Sequence, residues 1–156
     1  MKVIVAFDSI YGNTRKVAEY VAAGLISEGH QAELVNVRET SGKEVKGDML
    51  FLGSPTRMAS MTGKSKSFAK RLDAEDWAGK KAVAFDTIMA APDDETKKAK
   101  ALKWTANGAA PKLAQLLKSK GLDVSEKMLR VEVVGMKGPL TSNAESMVKD
   151  FLKGGY

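Results

Sequence analysis

The sequence predicts an α/β fold with a doubly wound, five-stranded parallel sheet in the order 2-1-3-4-5, and three observations carry that prediction. Strand-like apolar runs alternate with helix-period patterns along the whole chain, as successive βαβ units require. The runs Val3–Phe7, Met49–Leu52 and Ala82–Phe85 are unbroken, as in strands covered on both faces. The runs Ala32–Val37 and Met128–Val134 carry polar interruptions and belong at the two edges. The order 2-1-3-4-5 puts the unbroken runs in the middle.

Each connecting element has its own signal. After the first strand, Val17, Val21 and Leu25 recur at helical spacing until Gly29 supplies a left-handed stop. The polar stretch Arg38–Lys46, with Gly42, reads as a connection holding at most a short helix. Met61, Ser65, Phe68 and Leu72 share one face of the next helix, and Trp77 and Gly79 fall in the connection onward. From Asp86 to Asn107 the chain is long for a strand-to-helix loop, and Pro92-Asp93-Asp94-Glu95 followed by Lys97, Lys98, Ala101, Leu102 and Trp104 predicts an inserted short helix with an acidic first turn. Asn107 or Gly108 opens a helix whose Leu113, Leu116 and Leu117 face the core, with Pro111 in its first turn and Gly121 at its end. Leu129, Val131 and Val133 alternate with the outward Arg130 and Glu132 in the last strand. Thr141 or Ser142 caps the final helix, with a stripe of Ala144, Met147, Val148, Phe151 and Leu152, and Gly154-Gly155-Tyr156 reads as a frayed tail.

A chain of 156 residues with 44% apolar content fits one domain over 1–156 with a sizeable core. No apolar run is long enough to cross a bilayer and no signal-type segment opens the sequence, so a soluble cytoplasmic protein without membrane contact is expected. With no cysteine there is no disulfide, thiolate nucleophile or cysteine-ligated cluster, and any redox chemistry must use an organic cofactor. His30 is the single histidine and sits beside Gly29, which argues against a histidine metal site or a catalytic triad. The net charge of +6 suits an acidic partner, although a merely solvated lysine surface is as good a reading. Nucleic-acid binding is not expected, because no aromatic residues interleave the basic ones.

Two loops at the switch point of such a sheet concentrate the polar chemistry. Asp8-Ser9-Ile10-Tyr11-Gly12-Asn13-Thr14 is the first strand-to-helix turn, where helix N–H groups, the positive end of the dipole and the backbone freedom of Gly12 favour an anion. Taken alone, Ser9, Asn13 and Thr14 are equally ordinary cap residues. The second loop, Gly53-Ser54-Pro55-Thr56-Arg57-Met58-Ala59-Ser60-Met61, follows the third strand and shifts that balance. Together the pair resembles the flavodoxin-like family, a standing example of this strand order with a flavin at its switch point. Ser9-x-x-Gly12-Asn13-Thr14 looks like a flavodoxin phosphate loop, Gly53-Ser54-Pro55-Thr56-Arg57 is more similar to flavodoxin-fold quinone reductases, and Gly138-Pro139-Leu140 resembles small archaeal-type flavodoxins.

The resemblance implies flavin mononucleotide (FMN) as a non-covalent cofactor and a role as an electron carrier between redox partner proteins, acidic ones in view of the charge. Ser9, Ile10, Tyr11, Gly12, Asn13 and Thr14 would hold the phosphate. Ser54, Pro55, Thr56, Arg57, Met58 and Ala59 would flank the ring, with Asp86 and Thr87 at its other edge and Tyr11 or Trp104 as the nearest aromatic side chains. Trp104 serves equally well as a fastener of the insertion. The second loop lacks the aromatic platform usual in the family, and Met58 and Met61 are polarizable stand-ins. Arg57, Lys64, Lys66, Lys70 and Arg71 would rim the exposed edge of the flavin. The rival readings are an NAD(P)H:quinone reductase of the same fold and an interaction or regulatory domain without flavin. A nucleotide hydrolase is disfavoured, since Thr62-Gly63-Lys64-Ser65 follows Met58 where a phosphate-binding loop needs glycine. A phosphoryl receiver is disfavoured because the third strand ends in Gly53-Ser54, and Asp8 and Asp86 read as isolated turn acids.

Overall fold

The computed structural model describes residues 1–90 and 94–156, with the side chains of Leu102, Trp104 and Thr105 outside the description. Strands β1 (Lys2–Phe7), β2 (Gln31–Asn36), β3 (Met49–Pro55) and β4 (Lys81–Met89) run parallel in the order β2-β1-β3-β4. The position beyond β4 is shared by β5 (Asp123–Val124) and β6 (Leu129–Val133), both also parallel to it. The order is the expected one; the expected last strand, Met128–Val134, is β6, and the two-residue β5 is an additional segment that precedes it. The break between them falls where Ser125 Oγ accepts the Lys127 N–H, closing a turn that lifts the chain off β4 before it returns at Leu129.

Strand alternation sends Val3, Val5 and Phe7 to one face and Ile4 and Ala6 to the other. The first face is covered by α1 (Asn13–Ser27) and α6 (Ala144–Lys153), through Val17, Val21, Leu25, Val148 and Leu152. The opposite face is covered by α2 (Gly63–Lys70), the single turn α3 (Ala74–Trp77) and α5 (Ala109–Ser119), through Phe68, Leu72, Trp77, Leu113 and Leu117. Trp77, read as part of a connection, is a fully buried core residue. Asp73 caps the short turn that carries it, and its indole N–H donates to Val45 O at 3.3 Å. The predicted insertion is α4 (Glu95–Ala106), whose Lys97 N–H is capped by the Asp94 carboxylate; Pro92 and Asp93 lie outside the described residues.

The terminal segment is docked, in contrast to the frayed tail expected. The ring of Tyr156 meets Phe51 edge-on at 5.5 Å and stacks on Phe151 at 6.1 Å, while Lys127 Nζ donates to Gly154 O. Burial first, and the Glu28 charge second, hold the Tyr156 phenol above its ordinary range. A phenol whose folded value is raised contributes stability that is intact below about pH 10 and is lost as pH climbs through the folded value. Ultraviolet titration should therefore show one of the three tyrosines ionising late, and Tyr156→Phe should flatten the alkaline fall in stability. An unchanged alkaline limb in that variant would contradict the assignment.

Candidate functional site

Extension of β3 to Pro55 and of β4 to Met89 carries both strands past their apolar cores, through the pairs Ser54↔Asp86 and Pro55↔Thr87. Their ends, with those of β1 and β6, surround a cleft of about 280 Å³. Its first wall is the turn after β1. Gly12 takes a left-handed φ of +93° and precedes α1, and its N–H is held by Ser9 Oγ at 3.0 Å. Among the described residues the N–H groups of Tyr11, Asn13 and Thr14 have no acceptor, so the helix start presents free donors. Thr14 is buried with its hydroxyl 2.9 Å from that of Thr87, which ties the turn to β4.

The second wall is the loop after β3. Arg57 and Ser60 exchange both backbone hydrogen bonds, at 2.9 and 3.0 Å, around a two-residue tip formed by Met58 and Ala59. Both tip residues are left-handed, at φ 50° and 59°, the pattern of a type I′ turn that ordinarily takes Asn-Gly. An L-residue pays about 1–2 kcal/mol there, and glycine gives back about 0.5–1 kcal/mol in chain entropy. Ala59→Gly should thus raise the unfolding free energy by about 0.5–1 kcal/mol in a denaturant titration; a loss of stability would mean that the tip carries no strain.

Thr87, Met89, Val133 and Met136 close the cleft from the β4 and β6 side. The loop after β6 is held back by Val134 N–H to Pro139 O at 2.9 Å, and Gly138 sits against Asn13 so closely that a Cβ would lie 2.4 Å from the Asn13 amide oxygen. The Gly138-Pro139-Leu140 segment thereby braces the first turn.

Of the residues expected at the site, Ser9, Ile10, Tyr11, Asn13, Thr14, Pro55, Thr56, Arg57, Met58 and Thr87 line the cleft. Gly12 shapes the turn without lining it. Ser54, Ala59 and Asp86 stand outside the lining. Ser54 is buried behind the loop, where its hydroxyl donates to Pro55 O and accepts the Thr62 N–H. Ala59 forms the tip without lining the cleft. Asp86 is fully buried and its carboxylate is consumed by Arg130 at 2.8 and 3.0 Å, Thr56 at 2.8 Å and the Ala110 N–H at 3.0 Å. The side chain of Trp104 lies outside the described residues. Lys64, Lys66, Lys70 and Arg71 are exposed on and beside α2 and do not line the cleft; of the expected basic rim only Arg57 does. Lys137 joins it from the β6 side, its ammonium 5.8 Å from the centre of the Tyr11 ring.

Met89, Val133, Met136 and Arg130 escaped the sequence reading. Arg130 lies on the strand face opposite Leu129, Val131 and Val133, as the alternation predicts, and there pairs with Asp86; the available signal was one arginine and one aspartate in neighbouring strands. Asp8, likewise read as an isolated turn acid, is fully buried and bound by Arg38 at 2.6 and 3.3 Å and by the Thr62 hydroxyl at 2.5 Å. The hydrogen bond and then the charge of Asp8 hold the Arg38 guanidinium above its ordinary range. Among the described residues no group of acidic and histidine side chains is arranged to hold a metal ion.

Comparison with known proteins places this geometry. The flavodoxin domain family matches residues 4–142 of the chain. The chain belongs to the flavodoxin family. A flavodoxin of Aquifex aeolicus (strain VF5) is 40% identical over 91 residues, covering 55% of this chain and 49% of the relative, so the chain spans about half the length of the curated relative it matches. Similar solved structures include a flavodoxin from the domain Archaea, with 21% identity, TM-score 0.72 and coverage of 99% of this chain and 98% of that one. Another is oxidised flavodoxin 1 from Bacillus cereus, with 20% identity, TM-score 0.72 and 98% of each chain covered. Rubredoxin oxygen:oxidoreductase from Desulfovibrio gigas matches at 18% identity and TM-score 0.70, over 97% of this chain and 34% of that protein. At these identities the structural likeness is one of fold.

FMN is the cofactor of flavodoxins, and the residues present fit it. Free N–H groups and short hydroxyls stand at the end where a phosphate would sit, and Tyr11, Pro55 and Met58 offer apolar surface for a ring. None of the cleft-lining residues is a carboxylate, so nothing there repels a phosphate.

Proposed function

We propose that the protein binds FMN non-covalently in the cleft between Ser9–Thr14 and Pro55–Met58 and carries electrons between protein partners. The observation that carries this reading is the convergence of unpaired helix N–H groups and an apolar-walled cleft at the switch point of the sheet. When bound, FMN supplies the electron transfer, and the chain supplies binding, orientation and the local field. Donors at Tyr11, Asn13 and Thr14 hold the phosphate while Arg57 adds positive charge at the other wall. A cleft of about 280 Å³ lies at the small end for a ligand site, which leaves part of a flavin-sized group at the surface, where electrons can pass without a channel.

The mouth also suggests the kind of partner. Of nine large apolar side chains exposed among the described residues, five line this cleft: Ile10, Tyr11, Met58, Met89 and Met136. Such clustering marks a contact surface, and methionine suits one that must adapt to more than one partner. With Arg57 and Lys137 beside it, the face fits a redox protein with a carboxylate-ringed apolar patch.

Titration of the flavin-free protein with FMN, followed by flavin fluorescence quenching and the visible spectrum, tests the reading. Saturable binding is expected, and unchanged fluorescence at stoichiometric protein would end it. Steady-state NAD(P)H oxidation with a quinone then separates a carrier, which should be inert alone, from a reductase.

A further inference from the structure

We infer that Asp8 and Asp86 are positioning residues which clamp the two ends of the loop 56–62, so that this loop meets the flavin ring in one geometry. The inference rests on the FMN-binding reading above. At the start of the loop, Thr56 Oγ1 donates to Asp86 at 2.8 Å and accepts the Ala109 N–H at 3.0 Å, while the Thr56 N–H donates to Thr87 O. At its end, Thr62 Oγ1 donates to Asp8 at 2.5 Å and the Thr62 N–H donates to Ser54 Oγ at 3.0 Å. Both carboxylates are fully buried, and each is fixed from the opposite side by an arginine of a different segment, Arg38 after β2 and Arg130 on β6. The loop is therefore tied through charged acceptors to the sheet on both flanks of β3. Charged hydrogen bonds in buried surroundings are short, strong and directional.

What lies between the clamps explains their use. The tip holds two non-glycine residues in left-handed conformations, which persist only where neighbouring structure over-determines them. Met58 at that tip is 92% exposed and has little packing of its own to keep it there. The loop also lacks an aromatic side chain that could adapt to a ring by stacking. Its geometry must then be set from its ends, and the two threonine hydroxyls are the links. A close approach at Gly108 serves the same clamp, since a Cβ there would fall 2.5 Å from Arg130 Nη2 and 2.8 Å from Thr56 Oγ1.

Replacing either aspartate would leave its arginine and its threonine hydroxyl without their shared acceptor and destabilise the whole fold, so the test cuts the links instead. Thr56→Val and Thr62→Val each remove one hydroxyl at nearly constant volume, and Thr56→Ser and Thr62→Ser restore it. FMN and riboflavin dissociation constants are measured for all four variants well below their melting temperatures. Each valine variant should weaken FMN and riboflavin together, by about tenfold as expected for a lost hydrogen bond to a charged group, leaving their ratio as in the parent. The serine variants should bind as the parent does. Melting temperatures that fall while both dissociation constants stay unchanged would show that the clamps serve stability alone and overturn the inference. A change confined to the FMN-to-riboflavin ratio would overturn it too, since that reports the phosphate turn. Failure of the parent protein to bind either flavin would instead remove the FMN reading on which the inference rests.

Discussion

Riboflavin should bind this protein more than a hundredfold more weakly than FMN. The two ligands differ by a phosphate, and the phosphate end of the cleft is the start of α1, where the Tyr11, Asn13 and Thr14 N–H groups lack acceptors among the described residues. A hydrogen bond to a charged group contributes about 1.5–3 kcal/mol, so two of them give about 3–6 kcal/mol, and every 1.4 kcal/mol is tenfold. The helix dipole acts in the same direction. Paired titrations by fluorescence quenching measure the ratio, and equal affinities would exclude anchoring at this turn. Gly12→Val should abolish binding in the same assay. A Cβ at Gly12 meets nothing within 4 Å, so crowding inside the protein is not the cause. The cause is φ +93°, which a β-branched residue resists, together with a side chain placed where the phosphate must approach the backbone.

Arg130→Met should cost the fold about 3–5 kcal/mol. It leaves the Asp86 carboxylate buried without its counter-ion, and breaking a buried pair from one side carries that penalty. Arg38→Met should cost clearly less although Asp8 is just as buried. The Arg38 side chain is 45% exposed against 21% for Arg130, so water can take its place beside the carboxylate. Denaturant unfolding of the two variants side by side gives the ranking. Equal losses, or a smaller loss for Arg130→Met, would mean that burial does not govern these pairs.

Unbroken apolar runs at Val3–Phe7, Met49–Leu52 and Ala82–Phe85, and interrupted ones at the edges, determined by themselves the layer structure and which strands are central. These are local signals, because a strand buried on both faces must be apolar at every position. The phosphate turn was legible for the same reason: a glycine and short polar residues between a strand and a helix act on their own backbone. Membership of the flavodoxin family was likewise written in the order and spacing of the loops.

Tertiary structure alone decided which of the loop residues face the cleft. Ser54 and Asp86 carry the right chemistry for a site but are turned inward, because hydroxyl, carboxylate and guanidinium groups from segments far apart in sequence satisfy one another there. Met89, Val133 and Met136 reach the cleft only because the pairing of β4 with β6 runs on from Phe85, the end of the apolar core of β4, to Met89. The extra segment β5, the burial of Trp77 and the docking of Tyr156 depend on partners that a local pattern does not name. A period in the sequence reports which face a residue takes on its own element; what stands opposite that face is set by the packing of the whole chain, and hydrogen bonds and ion pairs form only with what stands opposite.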